Sequence, residues 1–92
     1  MTEEHLASLL SSAQAKKDGE GWHVAADGRH VTLYAAANGA SLNVGRVEAL
    51  RRDGALLQAR TVKGEVFLLA LEDVFAAAVE AAPTGARKAG FV

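Results

Sequence analysis

Cysteine is absent from the 92 residues, which excludes disulfides, thiolate zinc ligands and a cysteine nucleophile. Proline occurs once, at Pro83, and half the residues are hydrophobic with 9 glycines, a globular composition and not a disordered or fibrous one. Aromatic residues are scarce: Trp22, Tyr34, Phe67, Phe75 and Phe91. The core must therefore be built from Ala, Val and Leu, whose small buried areas predict modest stability alone or help from a partner surface. Charge of one sign is also missing. The formal net charge is -1, so no global field draws the chain to nucleic acid or anionic lipid. No apolar run approaches the roughly 20 residues of a membrane helix. The N-terminus lacks the basic region and continuous apolar stretch of a signal peptide. The expectation is a cytoplasmic protein with no membrane partner, and the Ala, Gly and Arg bias suits a GC-rich bacterial genome.

What is present is a series of X-Gly dipeptides. Asp27-Gly28, Asn38-Gly39, Asp53-Gly54 and Lys63-Gly64 fall between runs rich in Val, Leu, Thr and small residues. Such pairs supply the positive φ angles of tight hairpins, so four in succession predict five consecutive antiparallel strands, a β-meander. Leu42 and Val44 share one strand face, but the next apolar pair is Val47 and Ala49. One extra residue must be absorbed between them, and Gly45 is where a bulge costs least. A bulge in so long a strand curls the sheet toward a small barrel.

Before the meander, Leu6, Leu9, Leu10 and Ala13 form a helical stripe over residues 2–17, with Thr2 as N-cap and Asp18-Gly19 as the stop. After it, Leu71, Val74, Phe75, Ala78, Val79 and Ala82 follow a second helical stripe that Pro83 ends. The same stretch also alternates as a strand through Val74, Ala76 and Ala78. The predicted architecture is one α+β domain over residues 1–83: an N-terminal helix, a five-stranded antiparallel meander and a C-terminal helix, or a final strand in its place. Residues 84–92 form a flexible tail whose Arg87, Lys88, Phe91 and Val92 would dock on a neighbour if ordered.

Little in the sequence points to catalysis. His5, His23 and His30 lack zinc-protease spacing, and no serine sits in a nucleophile elbow. No carboxylate pair lies in an apolar setting that would raise a pKa, and the glycines of Gly19-Glu20-Gly21 neither follow a strand nor open a helix. No enzyme activity, cofactor or metal is expected. Two surfaces remain. The stretch Val66, Leu68, Leu69 and Leu71, beside Phe75 and Val79, carries more apolar area than two short helices cover, which predicts a protein-interaction module that forms homo-oligomers. Arg46, Arg51, Arg52, Arg60 and Lys63 are the alternative, a basic rim for nucleic acid.

The N-terminal helix, the long bent strand after Asn38-Gly39 and the turn entered through Leu71-Glu72-Asp73-Val74 give residues 29–80 an architectural resemblance to Sm-like small barrels. The resemblance implies ring assembly and RNA at an inner rim. Gly45 stands for the family's strand glycine, but the family's RNA-contacting Asp and Asn positions fall at Arg51 and Ala55. Its Arg-Gly pair falls at Leu69-Ala70, and the arrangement requires the chain to close on a strand.

Overall fold

The computed structural model describes residues 1–81. Helix α1 (Glu3–Ser12) is followed by the short strands β1 (Lys16–Lys17) and β2 (His23–Val24). Then come β3 (Arg29–Ala37), β4 (Ala40–Asp53), β5 (Leu56–Thr61), β6 (Val66–Ala70), a 3-10 turn at Leu71–Asp73 and β7 (Val74–Ala81). The strands make one antiparallel sheet, curled into a half-barrel, and with α1 they form a small α+β fold. The expectations for Ala82, Pro83 and the tail at 84–92 lie outside the described residues.

Helix α1 starts as its sequence dictates, with the Thr2 hydroxyl accepting from the His5 backbone N–H at 3.1 Å. It ends five residues earlier than the predicted 17. Ala13 is the C-cap and Gln14 adopts φ 52°. The N–H groups of Gln14 and Ala15 donate to the Ser11 and Leu10 carbonyls, the two bonds of a Schellman motif. The reason for the early stop is tertiary. Ala13 is buried in the core, its carbonyl accepts from Ala26 N–H, and Lys16 and Lys17 pair with Val24 and His23. Asp18 is thus a turn residue, its Oδ1 accepting from the N–H groups of Glu20 and Trp22.

The meander holds from β3 to β6. Asn38 and Gly39, at φ 52° and 82°, close the two-residue loop between Ala37 and Ala40. Asp27-Gly28 does not join two paired strands: β2 pairs with Ala49 and Leu50 of β4, and β3 pairs with β4 and β7. The predicted five-strand succession is therefore corrected to four, with the fifth long strand arriving from the C-terminal side.

The bend in β4 is where the parity argument put it. Leu33 pairs with Val44 and Val31 with Val47, so β4 carries an extra residue there. The positive φ falls on Arg46, at 56°, and not on Gly45, a conformation that costs a non-glycine residue roughly 1–2 kcal/mol. A second register shift between Val47 and Ala49 opposite β5 sends Val47 and Leu50 into the core and leaves Ala49 buried outside it.

Residues 71–81 correct the helical expectation. After the 3-10 turn, β7 pairs with β3 from Arg29↔Ala81 to Ala35↔Val74. Periodicity at 3.6 would have gathered Val74 and Phe75 on one face; instead Val74 is fully buried and Phe75 is 69% exposed. Alanine's helix preference is worth a few tenths of a kcal/mol per residue. Satisfying the row of N–H and C=O groups along β3 outweighs it. Phe75 is the extra residue at a bulge between Tyr34↔Ala76 and Ala35↔Val74. The core joins Leu6, Leu9 and Ala13 of α1 to Leu33, Val47, Leu57 and Val74 of the sheet.

Candidate interaction surfaces

Among the described residues the strand path leaves three ends, β1, β6 and β7, of which β1 is only two residues long, both of them lysine. Among the described residues β6 pairs only with β5 and β7 only with β3, so each has one side of its backbone without a ladder partner. Edges of this kind are usually guarded by lysine, proline or short length. Strand β6, Val-Phe-Leu-Leu-Ala, carries no charge, and β7 carries one, Glu80.

Alternation decides which apolar side chains reach the surface there. Leu69 and Leu71 point into the core and are 9% and 7% exposed, and Val79 packs half-buried against it. Val66 and Leu68 face outward at 49% and 59% exposure, and Phe75 stands out beside Tyr34 with ring centroids 6.5 Å apart. Of the six residues predicted for a protein interface, the structure therefore brings Val66, Leu68 and Phe75 to the surface. Leu42 joins them. It lies on the β3–β4 hairpin beyond the core and lines, with Leu68 and Ala36, a groove of about 220 Å³. Its parity with Val44 pointed inward, and only the distance of the hairpin tip from α1 shows otherwise.

The five cations do not form one rim. Arg51 and Arg60 lie over the Trp22 ring at 4.4 and 4.9 Å from its centroid. Arg51 Nε also donates to Gln58 Oε1 at 2.6 Å, and Arg60 Nε to Glu48 Oε2 at 3.0 Å. Arg52 is bound to Glu3 at 2.9 Å and to the Gly54 carbonyl. Trp22 is only 6% exposed and lies outside the main core, so the two guanidinium groups roof a separate aromatic cluster. The Glu20 N–H holds the Asp18 carboxyl below its ordinary value of 3.8, against partial desolvation, with the Trp22 N–H and the charges of Arg60 and Arg51 adding to the effect. Sequence reasoning missed this cluster because Trp22 sits ahead of a two-residue strand with no periodicity to betray its side.

Arg46 and Lys63 are different. Both line a second depression of about 250 Å³ with Asn43, Thr61, Glu65 and Phe67, and neither side chain has an ion-pair partner among the described residues. His23 and His30 sit on strands that do not pair with each other, and among the described residues no three of His, Cys, Asp or Glu gather. No helix among the described residues is long and apolar enough to cross a membrane.

Compared with known proteins, the chain matches no family model, no curated protein and no solved structure. The final strand implied by the Sm-like resemblance is present as β7.

Proposed function

We propose that this chain is a non-enzymatic module whose partner is a second copy of itself, joined through the open edges of the half-barrel. The observation that carries the reading is the coincidence of an unpaired edge and exposed apolar side chains, Val66 and Leu68, on β6; on β7, where Phe75 is exposed, the Val74 carbonyl accepts from the Met1 amino group at 2.6 Å. Pairing an open edge of one copy with an open edge of the next continues the ladder, closing as a two-fold dimer where the edges are the same and as a ring or filament where they differ. Main-chain hydrogen bonds supply the register of such a contact and the outward residues supply its area.

Sedimentation velocity over a hundredfold concentration range tests it. The chain is expected to sediment as an oligomer at high micromolar concentration, and Leu68→Glu to shift it to monomer without changing its far-UV spectrum, since Leu68 is 59% exposed. A monomer at every concentration overturns the proposal.

A further inference from the structure

The glycine and the positive φ in β4 are out of step by one residue. Gly45 has ordinary backbone angles, and a Cβ built there meets only the Thr32 hydroxyl at an ordinary 3.8 Å. Arg46, the next residue, holds φ 56°. Glycine at position 46 would avoid a conformational cost that Arg46 bears, as Gln14 and Asn38 do at a helix end and a hairpin turn; among the described residues Arg46 alone bears it inside a strand.

That side chain has somewhere to act. With Lys63 from the β5–β6 turn it lines the 250 Å³ depression, together with Asn43 and half-buried Phe67. The turn is held from within, Thr61 Oγ1 accepting from the N–H groups of Lys63 and Glu65 and Val62 N–H donating to the Arg46 carbonyl. Lys63 and Arg46 are therefore fixed relative to each other through backbone. The volume lies just under the about 300–1,000 Å³ of drug-sized pockets, which leaves room for one ring and its phosphate. Two cations against one carboxylate, Glu65, favour an anion there, and an aromatic face with an amide suits a planar heterocycle.

We infer that Arg46, Lys63, Asn43 and Phe67 form a site for a single nucleotide unit, the cations on its phosphate and Phe67 against its base. The chemistry is the same for a free nucleotide and for one unit of a single strand. The site shares strand β6 with the self-association surface through Phe67, while Val66, Leu68 and Phe75 do not line it.

Titration of the full chain with AMP, followed by amide chemical shifts, is the test, with a short single-stranded oligonucleotide in a second arm. Saturable shifts confined to residues 43–46 and 61–67 are expected in at least one arm; the arm with the tighter midpoint identifies the source. Adenosine, which lacks the phosphate, should bind about tenfold or more weakly, and Lys63→Ala should lose a similar factor. Arg46→Gly is the decisive variant because it relieves the φ: it should melt no lower than the parent while losing about ten- to a hundredfold in affinity. Glu65→Gln should tighten binding by removing the opposing charge. Absence of saturable shifts in both arms, equal affinity in Arg46→Gly, or shifts centred on Arg51 and Arg52 overturns the inference.

Discussion

Replacing Trp22 with alanine is predicted to be among the most damaging single changes outside the main core. The indole is 6% exposed and sits beneath the guanidinium groups of Arg51 and Arg60 at 4.4 and 4.9 Å. Truncating a buried Trp costs about 3–5 kcal/mol. The lower half of that range applies, because two long arginine side chains can settle into the space. Part of the loss is the two stacked cations, each worth roughly 0.5–1 kcal/mol at a partly exposed site. Against a total of about 5–15 kcal/mol for a domain, the substitution removes at least about a fifth of the stability. Urea unfolding followed by circular dichroism is the suitable assay, since Trp22 is the single tryptophan and fluorescence would vanish with it. Arg51 also bonds Gln58 and the Glu20 carbonyl, so its own loss is not all stacking. A double-mutant cycle of Trp22→Ala with Arg51→Ala isolates the shared part, expected near 0.5–1 kcal/mol. A cost below about 1 kcal/mol for Trp22→Ala, or no coupling to Arg51, refutes the aromatic clamp.

Leu57 is fully buried, so Leu57→Ala should cost about 2–5 kcal/mol in the same unfolding assay. Gln14→Gly places the residue suited to φ 52° at the helix end. It recovers roughly 1–2 kcal/mol of strain less about 0.5–1 of added unfolded-chain entropy, and so should raise the thermal midpoint by a few degrees. Asp18 gives a pH signature. Its folded pKa lies below 3.8, so its stabilisation is complete above that value and is lost as pH falls through the folded value. Asp18→Asn, which keeps the turn's acceptor oxygen, should flatten the acid limb of the melting-temperature profile below the ordinary carboxylate value and leave the neutral end close to the parent.

Turn chemistry and alternation made the middle of the chain legible. Asn38-Gly39 and the parity break at Gly45 both appear where local rules put them. Three features were hidden because their causes are remote in sequence. Helix α1 stops where Ala13 meets Ala26, not where a glycine stands. Asp27-Gly28 turns the chain without joining paired strands, because β2 finds its ladder on β4, two strands on in sequence. The stretch after Leu71 satisfies both periods, and the waiting edge of β3, some forty residues upstream, decides between them. The partners of the surface cations were hidden for the same kind of reason. Charge spacing put Arg51, Arg52 and Arg60 on one rim, while Trp22, Glu3 and Glu48 had already engaged them.

The most direct measurement of the self-association proposed for the half-barrel is amide hydrogen exchange across β6 and β7 as protein concentration rises. Successive amides on an edge strand alternate between the paired and the open side. The open-side amides of Val66–Ala70 should gain protection as concentration increases, while the paired-side amides and those of β5 stay unchanged. Exchange on the open side of β6 and β7 that remains fast at every concentration contradicts the account.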